Sequence, residues 1–247
     1  MPRSTPIGAY LQVFKNTGYP EFTLSHFRNF YPDSKIYMVS DCGYDFSSLA
    51  SEKGCVYEHS PINVGVKPGG FSKAEILEWL WRLKRCFEYC DEEFVIYLED
   101  DILTRGRIDV DAKSVISGFL GNRFPSSISE YFRSKYKTAK FNSGNYGACG
   151  GTVYHRKTFL DNFHSIVKIV DEDFDKVVYG ISFLFAHFDC FMTVVYMAMG
   201  YGYDINKNLV GTVYTPSWRN TAHPVVHIQK TSNNDPIQRQ IMSEFGS

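Results

Sequence analysis

No stretch of this chain approaches the ~20 consecutive apolar residues that a membrane-crossing helix needs. Met1 to Gly8 carries no apolar region of the kind that leads a secretory signal. The chain is therefore expected to be soluble and cytoplasmic. No block of Lys and Arg stands out and the formal net charge is −1, which excludes a general nucleic-acid binder. Cysteine is scarce for a disulfide framework. The six residues (Cys42, Cys55, Cys86, Cys90, Cys149 and Cys190) contain no CxxC pair, and the chain is long enough to build a core without staples. Cys86 and Cys90 stand one helical turn apart and could share a metal, but no matching pair lies nearby. Reduced core thiols are expected.

What the chain does hold is an ordinary globular balance, 44% apolar against 21% charged, which excludes wholesale disorder. Its 20 Phe and 17 Tyr supply a large core, with some left over for stacking surfaces. Neither an internal repeat nor a clean boundary divides it, so one domain is expected over residues 1–247. Within it, about 1–101 would bind nucleotide and about 102–247 would bind an acceptor.

The first hundred residues alternate apolar strands with amphipathic helices, the α/β signature. Ile7 to Phe14, Ile36 to Ser40 and Cys55 to Glu58 read as strands, the second of them buried. Tyr19 to Tyr31 and Phe46 to Lys53 read as the helices between them. A glycine-bearing loop, Asn63 to Gly70, leads to the clearest helix. Ser72 and Glu75 form a capping box there, and Phe71 can staple to Ile76. Ile76, Leu80, Leu83 and Phe87 then mark the buried face. Further on, Ile108 to Leu120 suggests a short helix and Gly121 to Asn145 a long polar, partly mobile segment. Tyr146 to His155 suggests a strand with glycines at its entrance. Lys157 to Val170 and Asp189 to Gly200 read as helices. Leu209 to Tyr214 and Val225 to Ile228 read as short late strands.

The run Phe94-Val95-Ile96-Tyr97-Leu98-Glu99-Asp100-Asp101 is the most telling. Five apolar or aromatic residues, patterned as a strand buried on both faces, end in three carboxylates. The C-terminal end of such a strand is where open α/β sheets bind ligands. Glu99 and Asp101 alternate and so point one way, Asp100 the other. Three acids together repel unless something offsets the charge, and a divalent cation carrying a phosphorylated ligand does so. The competing reading is a solvated acidic turn, which is also the expectation for Asp171-Glu172-Asp173.

At these residues the chain resembles the nucleotide-sugar glycosyltransferases of the GT-A fold. Leu98-Glu99-Asp100-Asp101 looks like the EDD form of their acidic DxD motif. The resemblance spans about Ile7 to Lys230 and implies an α/β, Rossmann-like fold with a central, mostly parallel sheet flanked by helices. It implies a Mn²⁺ or Mg²⁺ cofactor, a nucleoside-diphosphate sugar donor (a UDP-sugar first) and a saccharide or glycan acceptor. Residue by residue, it implies Asp101 as direct metal ligand, with Glu99 and the late His227 completing the set. Asp100 would meet the donor sugar or ribose. Asp41, after the second strand, would contact the nucleoside; the other reading is a turn-forming Asp before Gly43. Lys73 would reach the donor, or is simply a solvated lysine in a first helical turn. Gly150 and Gly151 would lie beneath the donor sugar, where no side chain blocks it. Lys230 would reach the diphosphate. Asp189, opening a helix, would be the general base of an inverting transfer, would face the donor sugar in a retaining one, or is that helix's N-cap. His223 competes with His227, and Trp218 and Arg219 are candidates for holding an acceptor sugar.

Two other readings stand beside this one. A sugar nucleotidyltransferase would share fold, substrate and metal. It would carry a glycine- and arginine-rich triphosphate loop after the first strand, where this chain has Phe14-Lys15-Asn16-Thr17-Gly18-Tyr19-Pro20. A non-catalytic carbohydrate-binding protein of the same fold would bind no nucleotide through a metal.

Overall fold

The structure, a computed structural model, describes residues 5–16, 18–64, 71–121, 123–180, 187–210 and 223–227. The chain opens with β1 (Ile7–Val13), α1 (Gly18–Phe30), β2 (Ile36–Asp41), α2 (Ser47–Glu52), β3 (Val56–Ser60), α3 (Lys73–Tyr89) and β4 (Phe94–Glu99). It continues through β5 (Ile102–Thr104), β6 (Ile116–Gly118), α4 (Ser126–Lys135), β7 (Val153–His155), α5 (Arg156–Asp161) and α6 (Phe163–Gly180). It closes with α7 (His187–Ala198), β8 (Asp204–Ile205), β9 (Leu209–Val210) and β10 (Val225–His227).

Seven strands form a mixed sheet in the order β3-β2-β1-β4-β7-β6-β8. β3, β2, β1 and β4 are parallel, and β7 turns antiparallel on β4. Strand alternation divides the core in two. Ile7, Ala9, Leu11, Phe94, Ile96 and Leu98 face α1 and α2, whereas Tyr10, Val95 and Tyr97 face α3, α6 and α7. Helices therefore cover both faces, as the near-continuous burial of β1, β2 and β4 requires.

The best-defined helix is α3. Ser72 Oγ accepts from the Glu75 N–H, and Glu75 Oε2 accepts from the Ser72 N–H at 2.7 Å, closing the expected capping box. Phe71 and Ile76 share one buried cluster, as the staple requires.

The second half departs from the sequence reading in several places: the helix expected over Lys157 to Val170 is two, α5 and α6, and the strand expected from Tyr146 is limited to β7. Ile108 to Leu120 holds the strand β6 and not a helix, because Ile116 and Gly118 are needed against β7 and β8. The polar segment carries α4, anchored by buried Ile128 and Phe132. The acidic run in α6 is not uniformly solvated: Asp173 is buried and accepts from Tyr131 Oη, Lys135 Nζ and Tyr136 Oη, tying α4 to α6. All six cysteines are free thiols. Among the described residues no helix is long and apolar enough to cross a membrane.

Candidate active site

A second, three-stranded sheet, β5-β10-β9, begins where the main sheet's acids end. β4 stops at Glu99, the chain passes Asp100 and Asp101, and β5 starts at Ile102. β10 lies antiparallel on β5 with His227 opposite Ile102. That register, set more than a hundred residues apart in sequence, brings the imidazole back to the acids. His227 Nε2 lies 3.4 Å from Glu99 Oε2 and 3.5 Å from Asp101 Oδ1.

One ligand atom from each of the three residues lies within 4.8 Å of the other two. With metal–ligand bonds of about 2.1 Å, neighbouring ligands of an octahedral ion stand roughly 3 Å apart, so this spacing suits a shared cation. Carboxylate oxygens suit Mn²⁺ and Mg²⁺, and a neutral imidazole is an acceptable ligand for Mn²⁺. Gly150 keeps the space open. A Cβ there would fall 2.8 Å from Glu99 Oε2 and 2.9 Å from Ile102 Cδ1. Donor set and cradle both fit a cation.

His227 is held well above its ordinary range: burial opposes the charge, and the Asp101 carboxylate, with Cys149 beside it, outweighs burial. The Asp189 carboxyl, in the first turn of α7, is pushed up to about 7, by burial first and by the Glu99 charge second. Its main-chain carbonyl accepts from Thr193 Oγ1 at 2.7 Å. Burial pushes the Cys149 thiol up to about 11, with His227 opposing. Three acids, an imidazole and a thiol thus share one electrostatic neighbourhood at the C-terminal end of β4.

Glu99, Asp101 and His227 meet as expected, and Asp189 lies within their field. The other predicted positions resolve differently. Asp100 is buried, and its carbonyl accepts from Thr23 Oγ1 of α1 at 3.1 Å. Asp41 is 1% exposed. Its Oδ1 accepts from Arg82 Nη1 at 2.9 Å and from the Val64 N–H at 2.6 Å. It holds the chain leaving β3. Lys73 Nζ is held on α6, donating to the Asp171 carbonyl at 2.7 Å and pairing with Asp171 Oδ1 at 3.2 Å. Gly151 adopts φ +90, and a Cβ there would lie 2.6 Å from Leu209 Cδ1, so backbone and packing already require glycine. His223 Nδ1 meets the Lys207 carbonyl at 2.9 Å, and it is His227 that lies with Glu99 and Asp101. Lys230, Trp218, Arg219 and the Pro68-Gly69-Gly70 loop lie outside the described residues.

Two residues of this neighbourhood escaped the sequence reading. Arg82 is fully buried on the apolar face of α3, in line with Trp79, Leu83 and Cys86. A charged residue on that stripe was the available signal. Tyr97 donates to Glu99 Oε1 at 2.9 Å. It reads as one more core aromatic, and its hydroxyl gave no sign in the sequence.

No protein-family model matches this chain, and no curated protein matches it in sequence. Solved structures match it in fold. The galactosyltransferase LgtC, in complex with donor and acceptor sugar analogues, aligns at a TM-score of 0.62 and 13% identity, over 97% of this chain and 94% of that one. An active-site mutant of LgtC aligns at 0.56 and 14% identity, over 97% and 95%. The apo form of the glycosyltransferase GlyE from Streptococcus pneumoniae aligns at 0.55 and 11% identity; the match takes in 96% of this chain and 59% of GlyE. The architecture is therefore the GT-A-like one these enzymes share, with the mostly parallel sheet that the sequence led us to expect.

Proposed function

We propose that the protein is a glycosyltransferase that moves a sugar from a nucleoside-diphosphate sugar, a UDP-sugar first, to a hydroxyl of a glycan acceptor. The observation that carries this reading is the convergence of Glu99, Asp101 and His227 within 4.8 Å at the C-terminal end of a buried strand. A bound Mn²⁺ or Mg²⁺ would supply charge to the leaving diphosphate. A fold shared with two glycosyltransferases supports the reading, LgtC with donor and acceptor analogues among them.

Glu99, Asp101 and His227 would hold that cation, and Gly150 would leave room beside them. Phe14, Tyr44 and Ile62 are exposed at the ends of β1, β2 and β3, and the Tyr44 N–H donates to the Phe14 carbonyl at 2.9 Å. This rim offers apolar surface to a base. Asp189 takes the proton of the acceptor hydroxyl while its oxygen attacks C1 and the C1–O bond to the diphosphate breaks. The products are the glycoside, the nucleoside diphosphate and one proton, and the anomeric centre inverts. A carboxyl raised toward neutrality is well matched to that work.

An Asp189→Asn variant tests the role. It keeps the volume and removes the base, so cation-dependent UDP binding should persist while transfer falls by about a hundredfold or more. Transfer at the wild-type rate would refute Asp189 as base.

A further inference from the structure

Glu99 has three side-chain torsions and is only partly covered, so its carboxylate needs a partner to stay in one place. Tyr97 provides one from two residues earlier on the same face of β4. Its hydroxyl donates to Glu99 Oε1 at 2.9 Å, which leaves Oε2 facing His227 Nε2 at 3.4 Å. The tyrosine is itself immobilised. Its ring lies edge-on to Trp79 and tilted against Tyr10, each with centroids 5.7 Å away, and β1 pairs Tyr10 with Tyr97 in register. The two oxygens of one carboxylate are thus divided between a fixed hydroxyl and the cation position.

We propose that Tyr97 is the positioning residue of the cation site, fixing Glu99 so that Oε2 is presented to the metal. The inference rests on the cation site proposed above. Partners that orient metal ligands typically matter by 10–100-fold in affinity.

The test is Mn²⁺ binding by calorimetry, without donor or acceptor, on wild type, Tyr97→Phe, Glu99→Ala and the double variant. Phe keeps the ring against Trp79 and Tyr10, and thermal unfolding checks that it does. Tyr97→Phe should weaken Mn²⁺ binding about tenfold or more. That loss should disappear in the Glu99→Ala background, because the hydroxyl acts through Glu99. A Tyr97→Phe variant with wild-type affinity overturns the assignment, as does a loss of equal size in both backgrounds. Wild-type protein that binds no Mn²⁺ overturns the cation site itself, and the assignment with it.

Discussion

Arg82 is a fully buried cation, and Asp41 is the counter-charge that makes its burial tolerable. Arg82 Nη2 also donates to Ser60 Oγ and to the Ile62 carbonyl, each at 2.6 Å, so one guanidinium gathers the ends of β2 and β3. Removing the Asp41 carboxylate leaves the guanidinium with Glu78, 3.2 Å from Arg82 Nε, as its remaining counter-charge. Asp41→Ala should cost about 3–5 kcal/mol of stability by urea unfolding, the usual penalty for breaking a buried pair. A cost under about 1 kcal/mol, the scale of an exposed pair, would show that the site is solvated. Gly150 makes the opposite kind of prediction. Its Cβ position collides with Glu99 Oε2 and Ile102 Cδ1, so Gly150→Ala should weaken Mn²⁺ binding roughly tenfold by displacing Glu99. Calorimetry checks this, and unchanged affinity would mean that the carboxylate has room to yield.

At the scale of elements, α3 shows how far local chemistry reaches. Its capping box stands where Ser72 and Glu75 predict it, and its apolar stripe is buried as the spacing requires. Ser72→Ala should lose about 1 kcal/mol in thermal or urea unfolding, because the Glu75 N–H loses its side-chain acceptor. No loss would mean that water serves the helix end as well. β1, β2 and β4 were equally legible, since buried parallel strands are written as continuous apolar runs. β6 was not. Three residues cannot display a period, and their strand state comes from pairing with β7 and β8. α4 was hidden by its polar surface, with only Ile128 and Phe132 buried. In the site, the acids were legible from their place at a strand end. For Asp41 and Lys73 the sequence does not show the partners they take in the structure, Arg82 and Asp171.

At the scale of the molecule, the site exists because two sheets meet at one tripeptide. The main sheet delivers Glu99, the small sheet returns His227, and Asp101 stands at their junction. Neither half of the chain carries the cation position alone. The same junction lies at the C-terminal edge of the parallel strands, beside the exposed rim of Phe14, Tyr44 and Ile62. A nucleotide laid along that edge would place its diphosphate toward the acids, with the cation between like charges. The central claim is therefore linkage: the nucleotide should bind far more tightly with the cation in place than without it. The most direct measurement is thermal unfolding with UDP and Mn²⁺, separately and together, on wild type and Asp101→Ala. At 100 times the dissociation constant a ligand adds about 2.7 kcal/mol, a shift of several degrees. The account predicts marked stabilisation of wild type by UDP with Mn²⁺, little by UDP alone, and none of the joint effect in Asp101→Ala. Wild type that gains no stability from UDP and Mn²⁺ together, or an Asp101→Ala variant that gains as much, would contradict it.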